Sequence, residues 1–264
     1  MINVGAKRAN LNGSGNTLQP AYGSGPYTYR LPGSGCYSKE DFKEILRYAT
    51  ARHIRVIPEI ETPGHARAAI KSMDKRYQTF LAKGDKAAAE KYLLRHLEDK
   101  SVYRSVQKWN DNVMDVAMPS VYSFLETVTE DIIAMYKEAG APLETIHFGG
   151  DEVPKGVWEQ SPAFNALKQS DSNIKTTTDL WDYYFGKVST MLKKKGLYLS
   201  GWEEVGLTKA IENGKSKWLV NDKFANQNVH VNVWNNLLGN EDLAYRLANG
   251  NYKVIISFVS TFYF

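Results

Sequence analysis

Residues 145–153 read Thr-Ile-His-Phe-Gly-Gly-Asp-Glu-Val, TIHFGGDEV. A short apolar run, Thr145 to Phe148, stops at two glycines and hands over to two adjacent carboxylates. That is the pattern of a buried strand whose C-terminal end carries polar groups. On its N-terminal side, Pro119 suits a first helical turn, and Val121, Phe124, Leu125, Val128, Ile132 and Met135 carry the helical period over 119–139. The same alternation recurs outward in both directions. Upstream, Ser38 with Asp41 makes a capping box, and Phe42, Ile45, Leu46 and Ala49 share a helical face. The run Ile54-Arg55-Val56-Ile57 before Pro58 reads as the next strand. Downstream come a helix around 178–195 and strands around 197–199 and 229–233. A helix with Asn240 as its N-cap and Gly250 as its stop follows, and then a strand over 253–258 that runs on through Ser260, Thr261 and Phe262 to Tyr263. Five short strands separated by helices predict a parallel sheet with crossover helices. An open doubly wound sheet and a (β/α)8 barrel both satisfy that pattern.

Two segments interrupt the alternation. Residues 1–37 are rich in glycine and tyrosine and read as a long ordered loop at the active site. Residues 66–118 read as a long insertion after the first strand, with one helix near 85–97. The 264 residues fit one α/β domain, with 43% hydrophobic and 23% charged side chains. A single cysteine, Cys36, excludes an internal disulfide. The net charge of +4 is dispersed, and its one basic run, Lys193 to Lys195, sits at a helix end where cations suit the dipole, so nucleic acid is not an expected partner. The most apolar stretch, Val254 to Phe264, is too short to span a bilayer, and no membrane insertion is expected. The N-terminal residues lack the apolar core of a secretory signal.

Polar and aromatic residues collect just past the strand ends, where both parallel architectures place their sites. They are Glu59, Glu61 and His65; Asp151 and Glu152; Trp202, Glu203 and Glu204; Trp234, Asn235 and Asn236; and Tyr263. Alone, the Asp151-Glu152 pair could cap the next helix, His65 could be structural, and either tryptophan could be core. Together at successive strand ends, carboxylates beside indole faces suit a sugar, whose C–H faces stack on rings while its hydroxyls seek acceptors.

The segments HFGGDEV (147–153) and RVIPEIETPGHARA (55–68) resemble the signatures of family 20 glycoside hydrolases, the β-N-acetylhexosaminidases. GWEE (201–204), VNVW (231–234) and FYF (262–264) are similar to the same family in the same order. The letters GGDE also occur in diguanylate cyclases, which continue with Phe where this chain has Val153. The resemblance implies a (β/α)8 TIM barrel and a retaining, substrate-assisted hydrolysis of terminal β-linked N-acetylglucosamine or N-acetylgalactosamine, on an oligosaccharide or glycoconjugate. It implies Glu152 as general acid and then base, and Asp151 and Tyr263 as holders of the 2-acetamido group. Trp202 and Trp234 would be pocket walls, and His65 a hydrogen-bond partner toward the acid. Glu61 and His147 would support them. It implies no cofactor and no metal, and a family that acts outside the cytoplasm or in degradative compartments.

The family's first two strands, with a sugar-gripping arginine and an aspartate, and its last strand have no counterpart in the sequence. The expectation is therefore an incomplete barrel of about five of eight strands, a catalytic-domain fragment with little activity by itself. Its alternatives are a carbohydrate-binding remnant or a barrel completed by another chain.

Overall fold

The computed structural model describes residues 37–212 and 215–262. In chain order its elements are α1 (Lys39–Thr50), β1 (Glu59–Thr62), α2 (Arg67–Leu81), α3 (Lys86–Glu90), α4 (Pro119–Ala139), β2 (Thr145–Gly149), α5 (Pro162–Ser170) and α6 (Asp179–Lys194). They continue with β3 (Tyr198–Trp202), a 3-10 turn at Glu203–Gly206, β4 (Leu207–Glu212), β5 (Lys215–Val220), β6 (His230–Val233), α7 (Leu243–Asn249), β7 (Lys253–Ile256) and α8 (Val259–Phe262). Five strands lie parallel in the order β1-β2-β3-β6-β7, and β4 and β5 form a separate antiparallel pair. Among the described residues the sheet does not close, which leaves β1 and β7 as its two edges. The architecture is an incomplete parallel barrel.

Local chemistry explains the elements. The Ser38 hydroxyl accepts the Asp41 N–H at 3.1 Å, while the Asp41 carboxylate accepts the Ser38 N–H at 2.7 Å, so the capping box forms. α1 then buries Leu46 and Ala49, whereas Ile45 stays exposed. α4 starts on Pro119 and ends at Gly140 in the left-handed region, φ +66°. Every residue of β2 is buried, as expected for a strand covered on both faces, so its sequence shows no alternation. Its neighbours in the core include Tyr136 on α4 and Tyr184 and Phe185 on α6.

Several boundaries differ from the sequence reading. The first strand is not 54–57 but Glu59–Thr62, because the ladder to β2 pairs Glu59 with His147 and Thr62 with Gly149. Ile54 and Ile57 precede it and are exposed. The helix near 85–97 is only Lys86–Glu90, since the following carbonyls turn to tertiary partners: Leu93 O accepts Ser120 Oγ at 2.5 Å, and Leu94 O accepts Asp115 N at 2.8 Å. The cap of α7 is Asp242 rather than Asn240. The last strand ends at Ile256, and the chain then coils into α8, where Phe258 O accepts the N–H groups of Thr261 and Phe262 at 3.0 Å each. Tyr263, expected on that strand, and the loop 1–37, save Tyr37, lie outside the described residues. The 66–118 segment holds α2, α5 follows β2, and the β4–β5 pair interrupts the β3-to-β6 crossover; the sequence reading assigned none of these three elements.

Candidate active site

The C-terminal ends of β1, β2, β3 and β6 gather the polar groups. Thr62 anchors this end: its buried hydroxyl donates to Phe148 O at 2.7 Å and accepts the Tyr184 hydroxyl at 2.7 Å. Beyond it, Met114 N donates to Pro63 O at 2.8 Å and Ala66 N to Asn112 O at 2.9 Å, so the insertion holds the loop that carries His65. His65 and Glu152 both sit in the left-handed backbone region, at φ +50° and +52°. Such geometry is uncommon for side chains of this size and clusters at functional sites.

These loops converge on three side chains. His65 Nε2 lies 3.1 Å from Asp151 Oδ2 and 3.4 Å from Glu152 Oε2. Gln107 Nε2 donates to Glu152 Oε2 at 3.0 Å. The Asp151 contact raises the His65 pKa above its usual value, against the opposing effect of burial. Asp151 Oδ1 is buried with no hydrogen-bond partner among the described residues. Among the described residues this is the one group of three potential metal ligands, with donor atoms within 4.8 Å. The 3.1 Å separation is that of a histidine–carboxylate pair, with Glu152 at a longer 3.4 Å beside it.

Beside it lies a second acidic group. Trp202 Nε1 donates to Glu61 Oε1 at 3.3 Å. Glu61 Oε2 is buried with no hydrogen-bond donor beside it among the described residues. Burial, then Glu59 and Asp151, push the Glu61 pKa up to about 9, while the His147 contact holds Glu59 down at about 2. His147 Nδ1 is 3.2 Å from Glu59 Oε1, and its ring meets Trp202 edge-on at 5.1 Å. Glu61 is thus a neutral acid among acceptors, able to donate where an ionised carboxylate could not.

Trp234 joins through its main chain. The Glu203 carboxylate, only 2% exposed, accepts the N–H groups of Trp234 at 2.9 Å and Asn235 at 3.2 Å. Burial lifts its pKa to about 7, and burial with the neighbouring Glu203 charge raises Glu204 well above the usual range. The structure therefore brings together His65, Asp151, Glu152, Glu61, His147 and Trp202, and ties Trp234 to them through Glu203. Gln107 and the strut role of Glu203 escaped the sequence reading. Gln107 lies in an irregular loop and carries no local signal, and Glu203 acts only through a neighbour 31 residues away.

These pKa shifts set a pH dependence. Raised carboxyls such as Glu61 and Glu203 contribute stability that is complete below their ordinary value of 4.5 and is lost as pH rises through about 7 and about 9. His65, also raised, acts in the same direction, whereas Glu59 contributes above 4.5 and loses its contribution only toward pH 2. The melting temperature is expected to be higher at pH 5 than at pH 9, measured by circular dichroism at constant ionic strength. A midpoint that climbs across this range contradicts the assignment.

A parallel strand–helix sheet of the barrel type with a histidine-bridged acid pair at its C-terminal rim defines a β/α-barrel enzyme class. The model of glycosyl hydrolase family 20, catalytic domain, matches residues 1–264, and the chain belongs to that family. It is 35% identical over its whole length to a β-hexosaminidase of Vibrio vulnificus, and 34% identical over 97% of its length to an N,N'-diacetylchitobiase of Vibrio harveyi. It spans 30% and 31% of those two relatives, respectively. Among solved structures, the exo-β-N-acetylglucosaminidase of Vibrio harveyi, crystallised with N-acetylglucosamine, superposes on 88% of this chain and 30% of its own, with a TM-score of 0.63 and 30% identity. A Bacteroides fragilis β-N-acetylhexosaminidase covers 84% of this chain and 36% of its own at a TM-score of 0.57 and 28% identity. No described helix is long and apolar enough to cross a membrane.

Proposed function

We propose that this chain carries the proton-donating and acetamido-stabilising site of a β-N-acetylhexosaminidase. The substrate is a terminal, non-reducing β-linked N-acetylglucosamine or N-acetylgalactosamine on an oligosaccharide or glycoconjugate. One observation carries this reading: two adjacent carboxylates share a histidine yet have different partners. Glu152 is reached by His65 and by the loop residue Gln107, while Asp151 Oδ1 is buried with no N–H or hydroxyl partner among the described residues, and its carboxylate lies beside the Glu61 acid.

The chemistry follows from that asymmetry. Glu152 gives its proton to the glycosidic oxygen as the anomeric C–O bond breaks, and the sugar's own acetamido oxygen bonds to the anomeric carbon. Positive charge then develops on the acetamido nitrogen, whose N–H the free Asp151 oxygen is suited to accept. Water next attacks the anomeric carbon and loses a proton to Glu152, which opens the ring and restores the acid. His65 orients the pair. Trp202 and Trp234 enclose the N-acetyl methyl and the sugar ring. Neutral Glu61 and His147 hold Trp202 in place, and Tyr263 takes the acetamido oxygen.

A bicyclic thiazoline that mimics the intermediate tests the reading by calorimetry. It is expected to bind about 10²-fold or more tighter than N-acetylglucosamine. Asp151→Asn, with an amide that cannot counter the positive nitrogen, is expected to lose most of that preference and to lower turnover of a 4-nitrophenyl N-acetyl-β-glucosaminide by about 10²-fold. A chain that binds neither ligand, or that hydrolyses the plain β-glucoside equally well, overturns the proposal.

A further inference from the structure

β6 ends its ladder at Val233, which pairs with Ile256 and whose carbonyl accepts Ser257 N at 2.9 Å. Trp234 and Asn235 continue past that end, where Trp234 O still accepts Val259 N at 2.8 Å. Their own N–H groups have no strand to pair with. Glu203, at the start of the 3-10 turn after β3, supplies one carboxylate oxygen to each. The Trp234 peptide is thus held from both sides, while its indole Nε1 is buried with no partner among the described residues.

A buried carboxylate is a costly way to cap a strand. The two N–H groups need acceptors that apolar packing would not supply, and among side chains a carboxylate offers one oxygen to each of them at once. We propose that Glu203 is the positioning residue of Trp234: its carboxylate replaces the missing ladder at the end of β6 and fixes the direction of the indole. The inference rests on the reading of Trp234 as a wall of the N-acetyl pocket, and it gives that wall a titratable strut.

The charged and titratable groups around the strut agree with a response near neutral pH. Burial, and after it the Asp151 charge at the end of β2, oppose ionisation of Glu203, while the N–H groups of Trp234, Asn235 and Glu203 itself favour it; Glu204 on the same turn is itself raised by burial and by the Glu203 charge. With the proton on, one oxygen becomes a donor facing a backbone N–H, and one of the two bonds is lost.

Acrylamide quenching of tryptophan emission between pH 5.5 and 8.5 tests this on the whole chain, with Trp234→Phe and Glu203→Gln beside it. The unmutated chain is expected to show a quenching transition near neutrality, more accessible on the acid side. Trp234→Phe is expected to lack it, and Glu203→Gln to stay at the acid-side level throughout. A transition that survives in either variant, or its absence from the unmutated chain, overturns the proposal. Should Glu203→Gln fail to fold, the comparison with Trp234→Phe decides alone. Titration with N-acetylglucosamine at each pH is expected to show about tenfold weaker binding below the transition. The expected transition without sugar binding at any pH supports the strut and overturns the pocket reading instead.

Discussion

In a completed barrel, Glu152→Gln is expected to lower kcat on an N-acetyl-β-glucosaminide with a poor leaving group by about 10²–10⁴-fold, with KM little changed. Glutamine keeps the length and shape of the side chain, and its amide can still meet Gln107 and His65, whose groups lie 3.0 and 3.4 Å from Glu152 Oε2. What it cannot do is release a proton as the glycosidic bond breaks. The deficit should therefore depend on the departing group. A 4-nitrophenolate leaves without help, so the first bond cleavage is partly spared, while attack of water on the intermediate still lacks its base. Steady-state rates on an alkyl and a 4-nitrophenyl substrate measure the difference. Equal, undiminished rates on both would remove Glu152 from the chemistry.

Gly149→Ala is expected to cost roughly 3 kcal/mol or more, about 6–12 °C in melting temperature for a chain of this size. Gly149 has φ +63°, which penalises any side chain by about 1 kcal/mol. A β-carbon there would also stand 2.5 Å from Glu61 Oε2 and 2.9 Å from Thr62 N. Thr62 is its own ladder partner, so relief requires moving β1 away from β2 and with it the acid at position 61. Gly196→Ala is the control: φ is +74° there but nothing lies within 4 Å, so only the backbone penalty applies. Thermal melts that place the two variants within about 2 °C of each other would show that the close approach is not real.

His65, Asp151, Glu152, Glu61, His147 and Trp202, all singled out in the sequence, lie together, whereas the strand that carries Glu61 was misplaced. β1 is Glu-Ile-Glu-Thr, two acids in four residues, because Glu59 and Glu61 belong to the carboxyl network. Apolar periodicity therefore passed over it and selected Ile54 to Ile57, which are exposed or partly so. Strands that present chemistry break the pattern used to find strands. β2, with its chemistry placed after the ladder, was legible within one residue. The β4–β5 pair had a usable signal in Asn213-Gly214, a common hairpin turn dipeptide. Glu203 had none, since its partners are backbone groups that only the fold brings near.

The backbone of Glu152 has one more consequence. A glutamate at φ +52° is held in a conformation that glycine would adopt at no cost. The residue proposed as the acid thus carries a backbone penalty of about 1 kcal/mol, a cost the fold bears in order to aim its carboxyl at His65 and Gln107.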